Sequence, residues 1–172
     1  MLRAHARHYE TGAPLPDALL AKLQAARRYG QGFAAVEYTV CALVDQALHA
    51  LPADAARALD MGAFEAAELA KLRLPAGISM RHRPAHFSHL FSGPSYAAAY
   101  YCYMWAEVLD ADAFEAFTET GDLFNPAVAA KLRAHIYAAG NSAEPGATYR
   151  AFRGRDPEIT PMLRKKGLLE AA

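Results

Sequence analysis

The chain has 172 residues, with 18 Lys+Arg against 18 Asp+Glu, and is 53% hydrophobic and 21% charged. Apolar content this high with charge this balanced excludes a disordered chain. The lack of a basic surplus argues against a nucleic-acid partner. At this length a folded chain buries roughly 70% of its unfolded surface, which suits one domain over residues 1–172, or one lobe of a larger one. Forty alanines stand against 14 Val, Ile and Thr combined. Alanine leads the helix scale and β-branched residues lead the strand scale. The prediction is an all-α, multi-helix lobe of about six to seven helices with one long His/Gly/Pro loop.

A first helix is predicted from Pro16 to Arg28, with Leu19, Leu20 and Leu23 on one face. A second runs from about Phe33 to Leu51, where Phe33, Val36, Val40, Leu43, Val44, Ala47 and Leu48 follow the helical period. A third covers about Ala53 to Leu74, with Gly62 as a point of weakness costing about 1 kcal/mol. Pro75 to Ser95 has no helical period, and a loop of this length in a small domain is usually functional. One long helix is then predicted from Tyr96 to about Glu119, with Gly121 as its stop. Asn125-Pro126 reads as a cap followed by proline at the first helical position, opening a helix to Ala139 that Gly140 ends. Asp156-Pro157-Glu158 reads as another helix start, and Gly167 as its end. No run of 18 apolar residues occurs, so neither a membrane span nor a membrane partner is expected. Met1 to Glu10 is polar and is not a secretory signal. Cys41 and Cys102 are too few for a disulfide framework, which points to a reduced, cytoplasmic protein.

The chemistry-bearing residues gather between Phe87 and Phe114. Four of the nine tyrosines fall between Tyr96 and Tyr103. On a helix, Tyr96, Tyr100 and Tyr103 share one face, and Tyr101 and Trp105 form a separate pair turned away from it. One reading makes these rings core aromatics. The other makes them a row of phenol donors facing a cleft, with His89 brought alongside by the loop. Such donors can hydrogen-bond a peptide and stabilise a developing oxyanion. His82, His86 and His89 have a spacing that a zinc site uses on a helix. Pro84 disrupts any helix spanning them, and Arg81 and Arg83 add adverse charge, so separate loop histidines are favoured. There is no HExxH, G-x-S-x-G, P-loop or G-x-G-x-x-G. Arg150, Arg153, Arg155, Arg164, Lys165 and Lys166 alternate with acids and read as a salt-bridged surface, with Arg153 and Arg155 as candidates for intrachain contacts.

Three segments together carry a resemblance. They are ARHYETGAPLP (Ala6 to Pro16), the His-Gly-Tyr segment leading through YY-x-Y-x-W to AEVLDADAF, and YRAFRGRDPEITPMLRKKGL (Tyr149 to Leu168). The chain resembles the C-terminal end of the thimet oligopeptidase, oligopeptidase A and peptidyl-dipeptidase family of zinc metallopeptidases. GNS (Gly140 to Ser142) with AFRGRDPEI points toward the bacterial peptidyl-dipeptidase branch. The resemblance implies a zinc cofactor in the full-length family, held by HExxH and a later Glu that precede the segment matching Ala6. No metal ligand is therefore expected here. It also implies that His89, Tyr96 and the loop residue Gly93 bind the substrate backbone. Tyr100 and Tyr103 then reach the scissile carbonyl, with Tyr103 as oxyanion stabiliser. The loop, Ser92-Gly93-Pro94-Ser95-Tyr96, is a residue longer than the family's common form, and Ala99 stands where a Gly often precedes the Tyr pair.

The function expected from this resemblance is that of one part of a cytoplasmic zinc peptidase acting on short peptides, inactive without the zinc-binding N-terminal portion as its partner. The alternative is a stand-alone, non-catalytic helical module that binds peptides or proteins, for which the Met1 start and self-consistent helices speak. Apolar faces at Phe33 to Leu51 or at Tyr101/Trp105 further predict a homo-oligomer.

Overall fold

A computed structural model describes residues 2–169. The Met1 start weighed above lies outside them. The chain forms helices α1 (Leu2–His5), α2 (Asp17–Ala26), α3 (Gln31–His49), α4 (Ala53–Arg57), α5 (Met61–Lys71), α6 (Cys102–Thr118), α7 (Pro126–Leu132), α8 (Pro145–Arg153) and α9 (Thr160–Lys166). Among the described residues there is no sheet, only one bridge between Arg7 and Pro14. The all-α expectation holds.

The periodicity of α3 has a direct structural result. Val40, Cys41, Val44 and Leu48 are buried on one side of it. Val40, Cys41 and Val44 form a core with Met80, Phe87 and Leu90, closed by Phe64, Leu69, Leu74 and Tyr100. Burying a side chain such as Val44 or Leu90 stabilises the fold by about 1.5–3 kcal/mol each. The loop after α5 thus supplies half of this core, and it contains two short 3-10 turns at Pro84–His86 and Ser88–Phe91. Arg83 pins its entry, donating from Nε to both oxygens of the buried Glu65 at 2.8 and 3.1 Å. A second, smaller core joins α6 to α9 through Val108, Ala111 and Met162.

Three predicted elements differ from the structure, and one helix is not among those predicted. The Ala53–Leu74 helix is two helices, and the break lies before Gly62. Asp60 caps α5 by accepting from the Ala63 amide at 2.9 Å, and this local bond outweighs continuity. The Tyr96–Glu119 helix begins only at Cys102, for reasons given below. Asp156-Pro157 does not start a helix. The start lies at Thr160-Pro161, while Asp156 accepts from Arg150 at 2.8 Å. Helix α8 has no counterpart among the predicted elements. It opens on Glu144-Pro145, with Glu144 accepting from the Gly146 and Ala147 amides. Those bonds hold the Glu144 carboxyl below its ordinary range. Asn125 does cap α7 as read, but the helix passes into a π-turn at Arg133–Tyr137. Gly121, Gly140 and Gly167 all end their segments with positive φ.

Candidate functional site

His89 sits in the second 3-10 turn, half-buried, and three tyrosine rings surround its imidazole. The ring centroids of Tyr96, Tyr100 and Tyr103 lie 4.9, 5.6 and 5.8 Å from it. Tyr96 and Tyr100 meet it edge-on, and Tyr100 and Tyr103 meet each other edge-on at 5.5 Å. These separations and tilts are favourable aromatic geometries. The Tyr103 hydroxyl is 3.1 Å from His89 Nε2. Tyr103 and Tyr96 remain half-exposed, while Tyr100 closes the core beneath. Burial pushes the Tyr100 phenol above its ordinary pKa, so it stays a proton donor at neutral pH.

The predicted site residues therefore come together, but not by helical spacing. Tyr96 to Tyr101 is a series of turns, with Ala98 at φ +55°. An L-residue at that φ cannot continue a right-handed helix. The amides of Ala98 and Tyr100 are also taken by another group. They donate to the two carboxylate oxygens of Asp45 at 3.1 and 2.9 Å, which removes them from any helical ladder. Gly93 has φ +142°, a conformation only glycine adopts readily, and its carbonyl accepts from the Tyr96 amide at 3.0 Å. Its place in the structure is thus to turn the loop between His89 and Tyr96.

Tyr101 and Trp105 face away from this cluster, as their spacing predicts. With Tyr38, Leu43, Met104 and Ile159 they line an apolar groove of about 500 Å³. The three loop histidines are separated. Phe87 packs its ring against His82 at 4.7 Å and against His89 at 5.9 Å, while His86 is exposed. Among the described residues, no group of three His, Cys, Asp or Glu side chains is placed to hold a metal ion. The donor set does not fit a zinc ion.

The residues that shape the site from below were not singled out from the sequence. Asp45, Gln46 and Tyr38 on α3 all reach the segment after Ala97. One signal for them was present, because Asp45 lies between Val44 and Leu48 on the apolar face of α3 and a buried acid there needs donors. A second buried acid, Asp112 on α6, accepts from Tyr149 Oη at 2.5 Å and from Arg155 Nη2 at 2.6 Å. Arg153 donates from Nε to the Asp112 carbonyl and makes two bonds to Glu119. Arg153 and Arg155 thus make intrachain contacts, whereas Arg150, Arg164, Lys165 and Lys166 form the salt-bridged surface.

Comparison with known proteins agrees with these motifs. Residues 1–168 match the description Peptidase family M3, and the chain belongs to that family. It is 37% identical over 166 residues to dipeptidyl carboxypeptidase of Escherichia coli (strain K12), covering 95% of this chain and 24% of that protein. It is 40% identical over 164 residues to oligopeptidase A of the same organism, covering 94% and 23%. A probable cytosolic oligopeptidase A of Arabidopsis thaliana is 36% identical over 176 residues, covering 99% and 24%. The chain thus spans about a quarter of the length of these relatives. No helix among the described residues is long and apolar enough to cross a membrane.

Proposed function

We propose that this chain forms the substrate-binding wall of a cytoplasmic metallopeptidase that hydrolyses short peptides. The observation that carries the reading is the Tyr103 hydroxyl set 3.1 Å from His89 Nε2, with Tyr96 and Tyr100 completing a half-open ring of donors. Tyr96 and His89 hydrogen-bond the peptide backbone from the loop side, where Gly93 lets the chain turn close. Tyr100 and Tyr103 lie nearer the scissile carbonyl. The tautomer of His89 that protonates Nε2 donates to Tyr103 Oη. That leaves the hydroxyl proton of Tyr103 free for the substrate oxygen and strengthens it as a donor. A donor aimed at a developing oxyanion contributes about 3 kcal/mol to the transition state. The zinc implied by the family, and the base that goes with it, belong in this reading to a separate metal-bearing portion.

Two measurements test the reading. In an NMR titration with a blocked alanine tetrapeptide, shifts are expected at His89, Tyr96, Tyr100 and Tyr103, with weaker binding in Tyr96→Phe. Shifts confined to other surfaces refute it. The purified chain alone is expected to leave the same peptide intact. Cleavage that a chelator abolishes would contradict the assignment of the metal to another portion.

A further inference from the structure

Beneath the aromatic cluster lies a polar grip on the backbone of the segment from Ala98 to Met104, built from α3 side chains that do not face the substrate. Asp45 is wholly buried, at 0% exposure. Its Oδ1 accepts from the Ala98 amide at 3.1 Å and faces His49 Nδ1 at 2.7 Å, and its Oδ2 accepts from the Tyr100 amide at 2.9 Å. The Gln46 side-chain amide donates to the Ala98 carbonyl, and the Tyr38 hydroxyl donates to the Tyr100 carbonyl. The same hydroxyl accepts from the Met104 amide at 3.2 Å. Positions 38 and 45 lie two turns apart on one face of α3, and Gln46 stands beside Asp45 at the edge of that face. That face holds donors and acceptors of the segment from Ala98 to Met104.

We infer that Asp45 is a positioning residue for the aromatic cluster, its carboxylate fixing the Ala98–Tyr100 turn and so setting where Tyr100 and Tyr103 meet His89. Alanine at φ +55° persists only where its surroundings over-determine it. A carboxylate has two acceptor oxygens and can take two amides and an imidazole at once. Asparagine of the same shape keeps one acceptor oxygen and turns its NH₂ toward one of those donors. Tyr103 lies three residues past Tyr100, in the first turn of α6, so release of the turn loosens the start of that helix. The consequence for binding, though not the positioning itself, rests on the peptide-binding reading above.

The test uses the full chain and Asp45→Asn, with a circular-dichroism melt to confirm folding. The expected result is amide hydrogen exchange about tenfold faster at Ala98 and Tyr100, with Val40 and Val108 unchanged. The ¹⁵N resonance of His89 Nε2 shifts as its bond to Tyr103 weakens. Affinity for the blocked alanine tetrapeptide falls about tenfold, or about 1.4 kcal/mol. Unchanged loop exchange and an unchanged His89 resonance in folded Asp45→Asn overturn the inference. If that variant does not fold, Gln46→Ala carries the same readouts, with exchange expected about threefold faster. No change there overturns the inference too. A wild-type chain that shows the His89–Tyr103 signature but binds no tetrapeptide refutes the peptide-binding reading alone and leaves the role of Asp45 standing.

Discussion

Replacing Asp112 by asparagine keeps the volume of the side chain and removes its charge from a site with no solvent exposure. Two donors end on that carboxylate, Tyr149 Oη at 2.5 Å and Arg155 Nη2 at 2.6 Å, and Arg153 Nε lies 3.5 Å from it. Asparagine retains one acceptor oxygen and presents an NH₂ group to whichever donor the oxygen does not serve. Breaking a buried ion pair costs about 3–5 kcal/mol. Arg155 is 32% exposed, so water recovers part of that cost and the low end, about 3 kcal/mol, applies. For a chain of 172 residues the unfolding entropy near the midpoint is about 0.36 kcal/mol/K, which makes the expected fall in Tm about 8 °C. Tyr149→Phe removes one donor and leaves the charge paired, so a smaller loss of about 1.5 kcal/mol, or about 4 °C, is expected. Scanning calorimetry gives both numbers, and a double-mutant cycle of Asp112→Asn with Arg155→Met isolates the pair. Coupling below about 0.5 kcal/mol, or an Asp112→Asn variant melting with the wild type, refutes the reasoning.

The Arg153 hydrogen bond holds the Glu119 carboxyl below its ordinary pKa. Its stabilisation is therefore fully present above the unfolded value of about 4.3 and fades as pH falls through the depressed native value. Glu119 is half-exposed, so Glu119→Gln costs about 0.5 kcal/mol at neutral pH, and its urea midpoint converges on that of the wild type as pH falls below about 4. Asn125→Ala removes the acceptor of the Ala127 and Val128 amides at 3.0 and 3.1 Å, which costs about 1 kcal/mol and about 3 °C in a thermal melt. Self-association through the apolar groove is proposed because Tyr101, Trp105, Leu43 and Ile159 each leave about half their surface open around it. Light scattering of the wild type should then show a species heavier than 18.6 kDa that Trp105→Glu returns to monomer mass, and a monomeric wild type at high concentration excludes this.

The helices visible in the sequence are those whose burial follows a regular period or whose start carries a cap. Helix α3 shows the first signal, and Asn125 before α7 shows the second. Helix α8 was hidden because only Tyr149 and Phe152 are buried on it, too few for a period, although Glu144-Pro145 repeats the syntax of Asn125-Pro126. The start of α9 is ambiguous in the sequence because Asp156-Pro157 and Thr160-Pro161 carry the same local signal. In the structure Asp156 instead accepts from Arg150, six residues earlier. For the candidate site, the residue types were legible at His89, Tyr96, Tyr100 and Tyr103, and the way they meet was not. A regular helix through Tyr96 was the lowest-cost local reading of an Ala- and Tyr-rich segment. The group that overrides it, Asp45, lies more than fifty residues earlier in the chain.

Asp45 and Asp112, both at 0% exposure, show why a small helical lobe retains fully buried acids. Neither is explained by net stabilisation, because an apolar residue of similar size often serves a core as well as a buried ion pair does. Each sits inside a helix and receives donors from a later segment packed against it. Asp45 receives amides from a turn that has left the helical ladder. Asp112 receives Tyr149 from α8 and Arg155 from the segment just after it, and so fastens that segment to α6. A hydrophobic replacement would leave those donors buried without acceptors, and the segments would move to recover water. The acids therefore select one arrangement of the segments packed on their helices over its alternatives. At Asp45 the arrangement selected is the one in which three tyrosines surround a histidine.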